Sequence, residues 1–237
     1  MKDKKLPISH RLSRCAEFVP QGARVADIGC DHGYLSIELL RSSRASFVHA
    51  CDLRQQPLRR AMENALRFGV HEKMRFSQAD GLKALDPKQI DTIVCAGMGG
   101  DLIARIIEDC PWVKNEAYRL ILQSQSSGNY LRRRLTELGF AIEREALAED
   151  GGFLYYIICA RFGASQTLSP GQEYCSPQLL QSGDPLLPAY LARIEKALTI
   201  TVEGLRRSSD PEGRKLSYFE TALREIQAMK EETQCQT

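Results

Sequence analysis

Residues 25–34 read Val-Ala-Asp-Ile-Gly-Cys-Asp-His-Gly-Tyr, and this stretch decides the fold. A short apolar run passes into a turn with two glycines, and a segment with helical periodicity follows from Tyr34. A strand, a glycine turn and a helix in that order are typical of the first unit of a parallel sheet, which binds ligands where its strands end. The stretch therefore predicts a Rossmann-like α/β domain with a crevice beside Gly29.

Outward from this stretch, apolar β-rich runs alternate with helical segments as far as about residue 160, as expected for an α/β fold. The predicted strands cover residues 24–28, 47–51, 74–78, 92–96, 119–122, 141–146 and 153–161. The predicted helices cover residues 34–41, 56–68, 101–109 and 129–138, the last followed by Gly139 as a C-terminal cap. Only residues 147–152 separate the last two strands, too few for a crossover helix, so this pair should be antiparallel in a seven-strand sheet.

Residues 164–185 are rich in Ser, Gln, Gly and Pro, which predicts a linker between a sheet domain at residues 1–163 and a tail at residues 186–237. In the tail, apolar residues recur every three or four positions in two runs, Leu187 to Leu205 and Leu216 to Ile226. Two amphipathic helices are expected, joined by a turn at residues 208–213 into an antiparallel, coiled-coil-like α-helical hairpin. The alternative is that both helices pack back on the sheet domain.

The 237-residue chain has 32 Lys and Arg against 30 Asp and Glu, a net charge of +2, so any nucleic-acid surface must be a local patch. Its eight cysteines form no C-x-x-C pair and several lie in apolar runs, which favours a reducing, cytoplasmic environment and no metal site. With no apolar leader and no run of about eighteen apolar residues, we expect neither export nor a membrane span. The oligomeric state stays open, with a monomer expected.

The acids of the first turn indicate the cofactor. A nicotinamide or flavin nucleotide needs G-x-G-x-x-G, whose bare amides hold the pyrophosphate, whereas Asp31 stands in that place here and would repel phosphate. Asp27 or Asp31 would instead attract the sulfonium and ammonium groups of S-adenosylmethionine. Gly29 and Gly33 would allow the backbone to approach that cofactor closely. The alternative is that Asp31 only caps the following helix.

Two further acids follow the next strands. The second predicted strand ends near Asp52 and Leu53, about twenty residues on, where an acid accepts hydrogen bonds from ribose hydroxyls. Asp80 and Gly81 follow the third strand and are placed to bind the exocyclic amine of adenine. Each acid alone is more often a turn residue, but the carboxyl ends of adjacent parallel strands converge on one crevice. Three acids there predict a site for S-adenosylmethionine.

The fourth predicted strand runs into Ala96-Gly97-Met98-Gly99-Gly100. This segment lacks the Asn/Asp-Pro-Pro-aromatic loop with which many amino-methylating enzymes hold the target amine. Its glycines predict close approach of the backbone to the methyl group or the target base. We therefore expect Ala96 and Gly97 at the cofactor, and Gly97 and Met98 at the reacting atoms. The alternative is a turn that only requires positive φ.

Four motifs together resemble the bacterial tRNA (adenine-22-N1)-methyltransferase family: residues 8–12 (Ile-Ser-His-Arg-Leu), 27–35, 96–100 and 120–123 (Leu-Ile-Leu-Gln). The resemblance extends over nearly the whole chain, including the predicted hairpin. It implies a class I enzyme that transfers a methyl group from S-adenosylmethionine to N1 of an adenine in the D-arm region of tRNA. One departure is clear: the family tends to have Glu-Asp-Gly-Lys-x-Tyr-Glu where residues 149–156 read Glu-Asp-Gly-Gly-Phe-Leu-Tyr-Tyr. Because the Lys and Glu are missing, the resemblance implies no tRNA contacts near this predicted hairpin.

Adenine N1 is a nucleophile once the base is unpaired, so such a site need only orient it towards the methyl group and exclude water. Asp31 is expected to accept a hydrogen bond from the exocyclic amine and to stabilise the developing charge. His32 is a candidate helper, with packing or capping as its alternative.

The expected substrate contacts are Arg11, Tyr34, Gln123, Arg132 and Arg133. Further basic residues that could hold phosphates are Lys2, Lys4, Lys5, Arg14, Arg134, Arg206 and Arg207. The alternatives are solvated helix faces for the basic residues and a core position for Tyr34.

Three other functions are left open. A nicotinamide dehydrogenase would share the fold, but Asp31 and the missing third glycine argue against it. A methyltransferase could act on another RNA, a protein or a small molecule, because only the family resemblance points to tRNA. A non-catalytic RNA-binding scaffold is disfavoured by acids at three strand ends.

Overall fold

The computed structural model describes residues 6–207 and 214–235, apart from the side chains of Arg214 and Cys235. Its centre is a seven-strand sheet with the order β3-β2-β1-β4-β5-β7-β6. The strands are β1 (Ala23–Ile28), β2 (Ala45–Asp52), β3 (Met74–Gln78), β4 (Thr92–Gly99), β5 (Arg119–Ser126), β6 (Phe140–Asp150) and β7 (Phe153–Phe162). All seven predicted strands are present, so the Rossmann-like fold expected from the sequence is confirmed.

The first five strands are parallel, and β7 runs antiparallel between β5 and β6. The carboxyl ends of β1, β2, β3 and β4 therefore lie at one edge of the sheet, on either side of the point where the strand order reverses next to β1. Residues 147–150, predicted as part of the loop after β6, belong to the strand itself, and only Gly151 and Gly152 make the turn. The tight turn brings the β6–β7 hairpin tip to the same edge.

Helices cover both faces. They are α1 (His10–Ala16), α2 (Tyr34–Arg41), α3 (Gln55–Phe68), α4 (Gly100–Glu108), α5 (Gly128–Glu137), α6 (Pro177–Leu180), α7 (Leu187–Arg207) and α8 (Arg214–Cys235). Helix α1 was not predicted, because seven residues are too few for a clear apolar period; it starts where the Ser9 side chain accepts a hydrogen bond from the Leu12 amide. Gly139 follows the C-cap residue Leu138 of α5 and has φ +90°, as its predicted role in ending the helix requires.

Alternate residues of the central strands pack into two cores, one on each face. Val94 and Ile121 face α1, α2 and α3, whereas Ile93 and Leu120 face α4, α5 and the tail. Seven cysteines are free thiols buried in these cores: Cys15, Cys30, Cys51, Cys95, Cys110, Cys159 and Cys175.

Helices α7 and α8 form the predicted antiparallel hairpin, since Arg206 pairs with Glu220 and Glu195 pairs with Lys230. The predicted turn at residues 208–213 lies outside the described residues. Residues 164–185, predicted as a linker, instead contain α6 and bury side chains such as Leu179 in the core shared by the sheet and the tail. The Ser, Gly and Pro residues interrupt the apolar periodicity of this segment, but some of its apolar side chains are still buried. The limits of two separate domains stay a prediction.

Within the described ranges, no helix is both long enough and apolar enough to cross a membrane.

Candidate active site

A cavity of about 530 Å³ opens at the carboxyl ends of β1 to β4. It is lined by most of the predicted site residues: Arg11, Asp27, Gly29, Asp31, His32, Tyr34, Asp52, Leu53, Asp80, Gly81, Ala96, Gly97 and Met98. Gly33, Gln123, Arg132 and Arg133 do not line it. Parallel strands that end at one edge thus bring together residues as far apart in the chain as Asp27 and Met98.

The turn after β1 is built on left-handed backbone. Gly29 has φ +71°, and a Cβ added there would overlap the end of the Met98 side chain. Asp31 is itself left-handed, with φ +47°, a conformation that aspartate tolerates better than most residues. Helix α2 starts at Gly33 as its N-cap without a side-chain cap, so Asp31 is not the capping residue.

The amides of this turn already have acceptors. Gly29 and Cys30 donate to the Cys51 carbonyl at 2.8 and 3.0 Å, and the Asp31 amide donates to the Asp52 carboxylate at 3.2 Å. A pyrophosphate would need such amides free and would also meet the Asp31 charge. The geometry of the turn thus disfavours a dinucleotide, and the turn presents the Asp31 carboxylate to the cavity.

Asp27 is the most enclosed of these carboxylates. It is only 3% exposed, and the Ser36 hydroxyl donates to it at 2.6 Å. Burial, with a smaller contribution from the Asp52 charge, raises the pKa of Asp27 to about 6 despite the hydrogen bond from Ser36. A cationic ligand in the cavity would favour the ionised form of this carboxyl group.

Asp52 is held rigidly at the end of β2. Its two oxygens accept the amides of Asp31 and Arg54 at 3.2 and 2.9 Å. A carboxylate oxygen has a second lone pair, so both oxygens can also accept hydroxyl groups from the cavity side. Paired acceptors of this kind fit the two hydroxyls of a ribose.

Asp80 lies at the cavity rim and is exposed. Its carboxylate pairs with the Lys83 ammonium at 2.8 Å, and this hydrogen bond and charge lower the pKa of Asp80. The carboxylate is therefore ionised at neutral pH and can accept a hydrogen bond from an amine at the rim.

The glycine loop, residues 97–100, lies opposite the turn after β1, since the Met98 side chain contacts Gly29. Gly97 is an extra residue in the β4–β5 ladder, a bulge with φ +85°. Its amide donates at 3.1 Å to the side-chain oxygen of Gln123, which is fully buried and also accepts from the Arg11 guanidinium. Gln123, predicted as a substrate contact, thus lies behind the loop and fixes Gly97 and Arg11. A Cβ at Gly100 would overlap the Ser127 carbonyl oxygen. Glycine is therefore required at position 100 for close packing of the backbone at the start of α4.

His32 and Tyr34 stand at the mouth of the cavity, with their rings stacked 5.7 Å apart. The His32 Nε2 lies 3.6 Å from the Asp31 carboxylate. Each side chain is half-buried and faces the cavity, so a helper role for His32 and a substrate contact by Tyr34 stay predictions.

Like Gln123, Arg132 was predicted as a substrate contact and is contradicted by its burial. Arg132 is fully buried, and its guanidinium donates twice to the buried Glu145 carboxylate, at 2.8 and 3.1 Å. Arg133 is partly exposed but pairs with Glu137 and Glu173 at 3.8 and 3.6 Å. The amphipathic period of α5 turns Arg132 inwards, towards a partner thirteen residues away on β6 that sequence spacing does not reveal.

Arg134 pairs with Glu108 and Glu137 at 2.7 and 2.5 Å, and Arg206 pairs with Glu220 at 2.8 Å. Lys2, Lys4 and Lys5 lie outside the described residues.

Several cavity residues were not predicted, including Arg54, Arg105 and Gln125. Arg105 belongs to the last turn of α4, and no motif distinguishes it from an ordinary helix residue. Arg54 directly follows the Asp52-Leu53 pair, so its place beside the cavity could have been inferred from that pair.

The donors and acceptors present fit S-adenosylmethionine. The cavity offers carboxylates for cationic groups and hydroxyls, a close backbone approach at Gly29 and Gly97, and apolar walls from residues such as Leu102 and Ile106. Among the described residues, no group of three or more His, Cys, Asp or Glu side chains could hold a metal ion.

Comparisons with known proteins agree with this geometry. Residues 8–158 match the family described as "Methyltransferase domain". The tRNA (adenine(22)-N(1))-methyltransferase of Bacillus subtilis is 33% identical over 159 residues, 67% of each chain. The crystal structure of the B. subtilis m1A22 tRNA methyltransferase TrmK matches with a TM-score of 0.84 and 26% identity, over 95% of this chain and 100% of that one.

Streptococcus pneumoniae Sp1610, solved in complex with S-adenosyl-L-methionine, matches with a TM-score of 0.80 and 31% identity, over 94% of this chain and 99% of that one. The matches thus include the tail as well as the sheet. The chain belongs to the methyltransferase-domain family and, within it, to the bacterial tRNA (adenine-22-N1)-methyltransferase family.

Proposed function

We propose that this protein transfers the methyl group of S-adenosylmethionine to N1 of adenine 22 in tRNA. The observation that carries the proposal is the convergence of Asp27, Asp52 and Asp80 on one cavity that faces the Gly97 bulge. Family membership supplies the substrate. The enzyme would act in the cytoplasm, where tRNA is available and unpaired thiols persist.

S-adenosylmethionine supplies an electrophilic methyl group on a sulfonium. In the proposed site, Asp52 accepts the ribose hydroxyls, Asp80 accepts the exocyclic amine of the cofactor's adenine, and Asp27 balances the positive charge. Gly29 and Gly97 let the backbone approach closely, with Leu53, Gly81 and Ala96 forming adjacent walls. Gly33, predicted at the cofactor, instead lets the start of α2 pack closely on Ala61 of α3.

The target adenine would lie between Asp31 and the Gly97-Met98 bulge, near Tyr34 and His32. Asp31 accepts a hydrogen bond from its exocyclic amine, which stabilises the charge that appears when N1 is methylated. Gln123 and Arg11 keep the Gly97 peptide in place, and this orientation brings N1 in line with the methyl group. The N1 lone pair is the nucleophile, so no covalent enzyme intermediate is needed.

A direct test uses purified protein, S-adenosylmethionine and an unmodified tRNA transcript, followed by nucleoside mass analysis. We expect 1-methyladenosine, and none in a matched transcript with guanine in place of adenine 22. Asp52→Ala serves as the enzyme control, because it should slow the reaction at limiting cofactor. A different methylated nucleoside, or equal methylation of both transcripts, would reject the proposed substrate.

A further inference from the structure

The tip of the β6–β7 hairpin carries an exposed aromatic residue at the edge of the sheet where the cavity opens. Phe153, the first residue of β7, is 57% exposed. Strand β7 is antiparallel to β5, so its start lies at the edge of the sheet where β4 and β5 end. Phe153 therefore lies at the active-site edge.

Phe153 belongs to a row of side chains that leads to the cavity. Phe153 and Tyr155 are two residues apart on one strand and so project to the same face of the sheet. The Arg11 guanidinium lies 5.5 Å from the centre of the Tyr155 ring, and Arg11 lines the cavity. We call Phe153, Tyr155 and Arg11 the aromatic ledge.

The ledge has room above its outer end. A Cβ added at Gly151 or Gly152 would meet nothing within 4 Å. In sequence Phe153 lies between Gly152 and the half-buried Leu154, and Asp150 is its partner across the hairpin. A stable protein partner needs about 800 Å² of matched surface on each side, whereas a single planar base needs only one exposed ring face and a nearby cation.

We propose that the aromatic ledge stacks the base of a nucleotide adjacent to the target adenine, an inference that rests on the proposed function. Extruding an adenine from its stack uncovers the faces of its neighbours. An aromatic ring can replace the lost stacking for any base, because every base has a π-face. Arg11, held by Gln123 and placed over Tyr155, supplies positive charge for the connecting phosphate.

The test compares Phe153→Ala and Phe153→Trp with Leu66→Ala, which removes an equally exposed apolar side chain, 63% exposed, from α3. Stacking on an aromatic side chain contributes enough that Phe153→Ala should weaken binding of the tRNA transcript about 5- to 150-fold. Phe153→Trp should bind at least as tightly as the wild type, and Leu66→Ala should stay within about twofold. The dissociation constant of S-adenosylmethionine should not change in any variant.

Two further transcripts carry 2-aminopurine, a fluorescent base, on the 5′ or the 3′ side of adenine 22. Wild-type protein should quench one of them by stacking, and Phe153→Ala should not. Wild-type affinity in Phe153→Ala, quenching of neither probe, or quenching that survives in Phe153→Ala would overturn the ledge. None of these readouts requires methylation, so failure of the proposed reaction would be recognised separately, by the absence of 1-methyladenosine with the wild type.

Discussion

Replacing Arg132 should destabilise the protein without removing an RNA contact. The Arg132 side chain and Glu145 are each no more than 1% exposed, and two hydrogen bonds join them. Arg132→Met would leave the Glu145 carboxylate buried without its partner. Breaking one side of a buried ion pair costs about 3–5 kcal/mol, which for a chain of this size lowers the melting temperature by about 6–20 °C.

Urea denaturation followed by circular dichroism would measure this loss. Arg133→Ala is the matched control on the same helix, because its ion pairs are long and partly exposed and should contribute less than about 1 kcal/mol. The double variant Arg132→Met, Glu145→Met should recover most of the stability, since both charges are gone. Recovery would be incomplete, because Arg132 also donates to the Glu173 carbonyl at 3.2 Å and lies over the Tyr156 ring.

The reasoning fails if the free energy of unfolding of Arg132→Met lies within about 0.5 kcal/mol of the wild-type value. It fails equally if this variant keeps its stability and loses affinity for tRNA, as a surface phosphate contact would.

Three further outcomes concern the carboxylates of the cavity. Asp52→Ala should weaken S-adenosylmethionine binding by about 1–3 kcal/mol in calorimetry; unchanged affinity would remove Asp52 from the site. Asp31→Asn should lower the single-turnover rate at saturating cofactor and tRNA about a hundredfold or more while cofactor affinity is largely kept, whereas normal turnover with weak cofactor binding would make Asp31 a cofactor contact only. The pKa of Asp27 is about 6 in the folded protein against 3.8 in an exposed chain, so folding favours its protonated form. The free energy of unfolding should therefore fall by about 3 kcal/mol as pH rises from about 4 to about 6 and then level off. Asp27→Asn should lack this component in urea titrations from pH 4 to 8, and identical pH profiles of the two proteins would contradict it.

The strands could be predicted because each one contains a local apolar run, and β3 was placed without error at Met74–Gln78. The ends were harder. Strand β4 continues to Gly99 through three residues whose glycines suggest a turn, because pairing with β5 holds them in the sheet. Burial of Leu179 was missed for a similar reason, since its neighbours Ser176 and Pro177 are typical of loops.

The acids of the cavity could be anticipated because strand ends converge by topology. What the sequence could not reveal was the inward direction of a charged side chain, as for Arg132, or a role behind the cavity wall, as for Gln123. Both depend on a distant partner that only the folded chain brings close. The exposure of Phe153 could not be predicted either. An aromatic residue in a strand is expected to be buried, as Tyr156 is, and the sequence pattern does not distinguish the two.

The buried cysteines make the folded protein a poor target for alkylating reagents. Burial raises the pKa of Cys159 to about 11 and that of Cys15 to about 12, so few thiolates exist near neutral pH even where a reagent could reach them. Alkylation then requires local or global unfolding. The alkylation rate at each cysteine is therefore proportional to the fraction of time for which unfolding exposes that thiol. With Cys235 replaced by serine, the alkylation rates of the seven described thiols report how often the packing on each face of the sheet opens. Cofactor binds only the folded protein. At about a hundred times its dissociation constant, it should slow alkylation roughly a hundredfold at the thiols that react only after global unfolding.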